Sequence, residues 1–165
     1  MHDDLPTAYN HTKHEAELYL MWEKSGAFSQ KSKIKKSCFS MVIPPPNVTG
    51  SLHMGHALNT VCQDILARYY RLQGRSVEWV VGTDHAGIAT QTVVEKDLLK
   101  KGIKARELPK EKFIDYIWKW KKQSGDRIIE QLRKLGASCD FSIIYFTMDD
   151  TYKRAVETAF KHFYN

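Results

Sequence analysis

His53 and His56 stand three residues apart where a long helical pattern begins, so at about 3.6 residues per turn they share one face of its first turn, with Gly55 between them. Backbone N–H groups at a helix start are unpaired and partly positive. A face of this kind can receive an anion and a flat base together, and the chemistry it suggests is phosphate binding. The approach to it is stiff: Pro44, Pro45 and Pro46 hold the chain extended as far as Asn47, Gly50 permits a tight bend, and the helix opens close to Leu52. Three other ligand readings fit less well. No G-x-G-x-x-G follows a strand, which removes the dinucleotide fingerprint. Gly50 and Gly55 have Walker-loop spacing, but His56-Ala57 replaces the lysine and hydroxyl that must meet phosphate and magnesium. A metal would find two ligands without the H-E-x-x-H spacing. Two surface histidines at a helix start remain open on spacing alone.

The elements that must position these residues follow from the hydrophobic pattern. Cys38 to Ile43 is an apolar run of strand length that Pro44 terminates. Ala57, Leu58, Val61, Cys62, Ile65, Leu66, Tyr69 and Leu72 recur at helical spacing as far as Gly74, a stripe expected to cover a sheet. Val77 to Val81 is apolar throughout, as a parallel strand buried on both faces would be. The unit is strand, helix, parallel strand with a right-handed crossover, giving an α/β class. Gly82 to Gly87 then leaves the same sheet edge as the proline turn, and ligands of open α/β sheets collect there. Asp84 in that run can cap the next helix, Ile88 to Lys101, with Val93, Val94 and Leu98 inward and Gly102 past its end.

Pro109 suits a first helical position, and Glu111 to Ser124 forms an aromatic-rich helix that Gly125 kinks or interrupts before Ile128, Ile129, Leu132 and Leu135 resume the pattern. Cys139 to Phe146 reads as a short strand, and Thr147 with Asp150 as a capping box for a last helix to about Phe163. At the other end, Asn10 caps a helix to about Ser25 with Leu18, Met21 and Trp22 inward and Gly26 as its stop. Ala27 to Ser37 is a basic loop. The expected division is an N-terminal helix and basic loop over 1–37 and the α/β unit over 38–165.

With 165 residues, 42% hydrophobic and 27% charged, the chain has ordinary globular composition. Its net charge of +6 tilts the surface toward polyanions such as nucleotides or RNA, although Lys31 to Lys36 and Lys119 to Lys122 also fit a solvated loop and a helix face. Neither an 18-residue apolar run nor a signal-peptide pattern is found, so cytoplasm is the expected address. Cys38, Cys62 and Cys139 lie far apart without C-x-x-C, which argues for reduced thiols and against a zinc ribbon. Two glycosylation triplets, at Asn10 and Asn47, are read as chance.

The run from Pro44 to His56 resembles the first signature of class I aminoacyl-tRNA synthetases, within them the valine-specific group, whose usual form is His-Ile-Gly-His or a near variant. Gly82-Thr-Asp-His-Ala-Gly-Ile-Ala-Thr-Gln91, Trp118-Lys-Trp-Lys121, Leu135-Gly-Ala-Ser138 and Phe146-Thr-Met-Asp149 resemble later stretches of the same enzymes in the same order. Val81, Phe141 and Ile143 depart from the family's proline, tryptophan and arginine. The resemblance implies the first half of a Rossmann-like nucleotide-binding domain, truncated before the editing insertion and second half. It implies that Thr49, His53, Gly55 and His56 meet ATP, with His53 and His56 catalytic. Pro44, Pro45, Asn47 and Asp84 would meet L-valine, Asp84 pairing with its ammonium. Mg2+ is expected with ATP and no metal is expected on the protein. For the complete enzyme the further partner is tRNA(Val), and a complementary C-terminal fragment is a possible partner of this chain. The family's K-M-S-K-S signature does not occur; Lys33-Ile-Lys-Lys-Ser37 imitates it but precedes the first signature. The isolated chain is therefore expected not to charge tRNA, and a noncatalytic accessory module stays open beside half of a split synthetase.

Overall fold

Three parallel strands in the order β1-β2-β3 organise the computed structural model, which describes residues 7–29 and 37–164. The strands are β1 Cys38–Val42, β2 Ser76–Thr83 and β3 Ile144–Phe146. The helices are α1 His11–Lys24, α2 Met54–Leu72, α3 Ile88–Lys100, α4 Lys110–Lys134 and α5 Asp150–Tyr164, with a 3-10 turn at Ala105–Glu107. β1 pairs with β2 from Cys38↔Ser76 to Val42↔Val80. β2 pairs with β3 from Val81↔Ile144 to Thr83↔Phe146. The two pairings use different stretches of β2, so β3 stands beside its carboxyl end. The α/β class and the parallel unit agree with the sequence pattern. The Lys33 to Lys36 imitation of a lysine signature lies outside the described residues.

The core is the layer between the sheet and its covering helices. Val77, Trp79 and Val81 on β2 meet Ile128 and Leu132 on α4 and Ala67 on α2, with Ile43, Val48, Cys139 and Phe141 closing the ends. Ile128 and Leu132 are fully buried, each contributing about 1.5–3 kcal/mol. α1 joins through Tyr19, whose hydroxyl donates to the Ala137 carbonyl at 2.6 Å; burial foremost, then the Glu23 charge, raises that phenol above its ordinary range. Leu18 and Met21, expected inward, are exposed, because Tyr19 and Trp22 close with Phe28 into an aromatic cluster. Phe28 thus gives the expected basic loop a buried anchor.

α2 departs most from expectation. Its apolar stripe faces outward: Leu58, Ile65 and Leu72 are 68%, 61% and 85% exposed. The inner face is polar because buried donors need acceptors there. Trp79 Nε1 donates to Gln63 Oε1 at 2.8 Å, and Ser138 donates to Asp64 from both its backbone N at 2.8 Å and its hydroxyl at 2.5 Å. Arg68 and Arg71 complete the tie, donating to the carbonyls of Gly136 and Ser138, each at 2.8 Å. Two smaller expectations also fail. α4 runs unbroken through Gly125, its apolar face being continuous across that position. Residues 139–143 are irregular, with only Ile144–Phe146 extended, since Cys139 and Phe141 both turn into the core.

Candidate functional site

α2 begins at Met54, two residues after the opening expected near Leu52, because His53 is its N-cap. The Gly55 N–H donates to His53 Nδ1 at 3.1 Å, and the His53 N–H donates to His56 Nδ1 at 3.3 Å. This is a capping box in which imidazoles replace the usual hydroxyl and carboxylate. Both Nδ1 atoms accept, so each neutral ring carries its proton on Nε2 and keeps that N–H for a ligand. The ring centroids lie 4.0 Å apart. Burial, then the neighbouring His53, lowers the His56 pKa from its ordinary value, which favours the neutral donor. A Cβ on Gly55 would stand 2.9 Å from the His53 ring, so glycine is what allows that ring to fold onto the helix start.

The turn before these histidines is pinned to α4. Trp120 Nε1 donates to the Val48 carbonyl at 2.8 Å, and Gln131 Oε1 accepts from the Leu52 N–H at 2.9 Å. The turn is also laced to the end of β2: Asp84 N–H donates to the Pro46 carbonyl at 2.8 Å, Val48 N–H donates to the Asp84 carbonyl at 2.9 Å, and Asn47 forms a parallel bridge with Asp84. The prolines remove their own donors but leave carbonyls, which is why the pairing can continue past Pro46. Asp84 does not cap α3. Gly87 is the N-cap, without a side-chain bond, and the Asp84 carboxylate instead accepts from Thr147 Oγ1 at 2.8 Å.

Pro44, His53, Gly55 and His56 line one concavity of about 180 Å³ with Asn59 and Thr60. Thr49, Pro45, Asn47 and Asp84 do not line it; Asn47 and Asp84 meet beside it through backbone pairing. Pro44, Pro45 and Asn47 are exposed, whereas Thr49 and Asp84 are half-buried. A larger groove of about 930 Å³ between α1 and α4 contains none of the candidate ATP- or valine-binding residues. Among the described residues no group of three His, Cys, Asp or Glu side chains could hold a metal ion. No helix of the described residues is long and apolar enough to cross a membrane. Cys139 is buried, which pushes its thiol up to about 12 and leaves it protonated. Sequence reasoning missed Trp120, Gln131 and Thr147 as parts of this site. Two of them sit in stretches that carry the family resemblance, Trp118 to Lys121 and Phe146 to Asp149, and that was the available signal.

A parallel sheet with a proline turn, a histidine-capped helix and an acidic residue along one edge is an α/β arrangement of the kind whose ligands collect at that edge. The family model for class I tRNA synthetases (I, L, M and V) matches residues 17–165, and the chain belongs to that family. It is 51% identical over 164 residues to the valine--tRNA ligase of Syntrophotalea carbinolica, covering 99% of this chain and 18% of that protein. It is 53% identical over 152 residues to the valine--tRNA ligase of Pelagibacter ubique, covering 92% of this chain and 17% of the other. The chain therefore spans less than a fifth of the relatives it matches. Among solved structures, the LeuRS of Agrobacterium radiobacter K84, in a ternary LeuRS-tRNA-LeuAMS complex, superposes with a TM-score of 0.75 at 22% identity, over 95% of this chain and 18% of that one. That likeness establishes the fold.

Proposed function

We propose that this chain is the N-terminal part of a valine--tRNA ligase catalytic domain, bearing half of its adenylation site and acting in the cytoplasm. The supporting observation is the lacing of the histidine-capped turn to Asp84 by two backbone hydrogen bonds, which holds a phosphate-binding face and a carboxylate at one sheet edge. In the proposed reaction the valine carboxylate attacks the α-phosphate of ATP, pyrophosphate leaves, and the adenylate then esterifies the terminal adenosine of tRNA(Val). His53 and His56 donate Nε2–H to phosphate oxygens as charge accumulates, and the α2 start adds its dipole. Thr49 reaches phosphate and Gly55 lets adenine approach the backbone. Asp84 pairs with the valine ammonium, assisted by Asn47 and the Pro44 carbonyl, with Pro45 as a wall of the side-chain pocket. Mg2+ arrives with the triphosphate as part of the substrate.

Calorimetry of the purified chain with ATP and with L-valine tests this reading. Saturable heat at millimolar ligand is expected, weakened for ATP by His53→Ala and for valine by Asp84→Asn. No heat with either ligand would sink it.

A second reading, half of a split synthetase, is favoured by the outward apolar row on α2 and by Val42, 60% exposed on the edge strand β1. Such a face suits a complementary C-terminal fragment that continues the sheet beside β1. ATP-pyrophosphate exchange with valine, measured alone and with the remainder of a relative's catalytic domain, decides it. Exchange only in the mixture supports the split reading. Exchange by neither favours an accessory module.

A further inference from the structure

We propose that Thr147 is a positioning residue that fixes the Asp84 carboxylate and the His85 tautomer at the end of the sheet. This rests on the reading of Asp84 as the valine ammonium partner, and it adds a device that the family resemblance does not supply. Thr147 follows β3 and Asp84 follows β2, and the Thr147 N–H donates to the Thr83 carbonyl at 3.2 Å, extending the ladder so that the two residues stand side by side. The Thr147 hydroxyl donates to Asp84 Oδ1 at 2.8 Å and accepts from the His85 N–H at 3.0 Å, while His85 Nδ1 lies 2.6 Å from the same oxygen.

A hydroxyl has one proton and two lone pairs. Its proton is committed to Asp84, so the imidazole contact requires His85 to donate from Nδ1. The three partners use the full capacity of the hydroxyl. His85 Nδ1 also lies 3.2 Å from Asp84 Oδ1, but its proton goes to the nearer Thr147 oxygen, so the hydroxyl is the group that anchors this carboxylate oxygen. Among the described residues Asp84 Oδ2 has no hydrogen-bond partner, and the side chain is 31% exposed. One oxygen is anchored and the other is presented. A bare carboxylate would rotate freely about its last bond, whereas this one meets an ammonium group in a preset orientation.

Two further features show that the contact is built in. The sequence suggested that Thr147 would cap α5, but its hydroxyl turns to Asp84 and His85, and Asp149 assists the turn by accepting from the Phe146 N–H at 2.9 Å. Gly82 is also the residue that lets β3 approach. A Cβ there would stand 2.5 Å from the Tyr145 carbonyl oxygen, a backbone atom that cannot swing aside.

The test uses the full chain with Thr147→Val, which keeps shape and removes the hydroxyl, and Thr147→Ser, which restores it. Nitrogen-15 NMR of the imidazoles, recorded above the ordinary histidine titration range, reads the His85 tautomer directly. The expected result is an Nδ1–H tautomer in the parent and in Thr147→Ser, replaced by a mixture in Thr147→Val. L-valine calorimetry should show affinity reduced about tenfold by Thr147→Val, the loss of one charge-assisted hydrogen bond, with ATP affinity unchanged and Thr147→Ser close to the parent. An Nε2–H tautomer of His85 in the parent overturns the proposal, as does equal valine affinity in the parent and Thr147→Val. A parent that binds no valine refutes the reading of Asp84 instead, and the tautomer comparison then decides the role of Thr147 alone. Should Thr147→Val not fold, the parent and Thr147→Ser spectra decide it.

Discussion

Replacing Gln131 by methionine, nearly equal in volume, removes one acceptor from beneath the proline-histidine turn and little else. Gln131 Oε1 accepts from the Leu52 N–H at 2.9 Å, and Leu52 directly precedes the capping histidine. A net intramolecular hydrogen bond contributes about 1 kcal/mol, and a donor stranded in the interior costs about 1–3 kcal/mol. Leu52 is half-buried, so water reaches its N–H in the variant and the lower figure applies. About 1 kcal/mol corresponds to roughly a fivefold change in the local opening equilibrium. Amide hydrogen exchange should therefore show Leu52 protection falling about fivefold in Gln131→Met, with the centre of β2 unaffected. Gln131→Glu keeps the oxygen in place and adds charge assistance, so it should match or exceed the parent. Equal Leu52 protection in parent and Gln131→Met would refute the claim that α4 holds the turn through this bond.

Gly82→Ala forces β3 away from β2 and should cost about 2 kcal/mol of stability in urea unfolding, in the range of overpacked sites; a neutral substitution would show that β3 tolerates displacement. A thiol reagent at neutral pH should modify exposed Cys38 and Cys62 and leave Cys139 untouched until the chain unfolds, because burial keeps that thiol protonated up to about 12. For His56 the folded pKa lies below the unfolded value, so the unfolded chain binds more protons in the window between them. Its contribution to stability is present above about pH 6.5 and is lost as pH falls through the folded value. The stability difference between the parent and His56→Gln should therefore shrink across that window, and a constant difference from pH 8 to 5 would contradict the burial of the ring.

The strand-helix-strand unit was legible because it depends on period and on proline, both of which act locally. The runs Cys38 to Ile43 and Val77 to Val81, observed as strands Cys38–Val42 and Ser76–Thr83, and the edge shared by the proline turn and the stretch from Gly82 needed no tertiary information. Which face of α2 turns inward was not legible. Its inner face is chosen by the indole of Trp79 and the backbone N–H of Ser138, which demand Gln63 and Asp64, and no spacing rule registers such a demand. The same limit applies within the site. His53 and His56 could be placed on one turn from their spacing, but that their rings cap the helix through Nδ1 depends on geometry at the cap. Thr147 was assigned to the nearest helix because local capping is all a sequence displays, whereas its partners lie 62 and 63 residues away.

These long-range ties converge on α4. Trp120 and Gln131 are eleven residues apart, close to three turns, so they emerge on one face about 16 Å apart and grip the proline-histidine turn at Val48 and Leu52. A different face of the same helix carries Trp118 and Lys121: the first packs edge-on to Phe146 at 6.1 Å and the second sits 4.0 Å from the centre of that ring. Phe146 directly precedes Thr147. One helix therefore sets the position of the proline-histidine turn and the seat of the residue proposed to orient Asp84. The uninterrupted passage of α4 through Gly125 is then a requirement of the site, since a kink there would move Gln131 relative to Trp120 and break the common register of the two contacts on the turn.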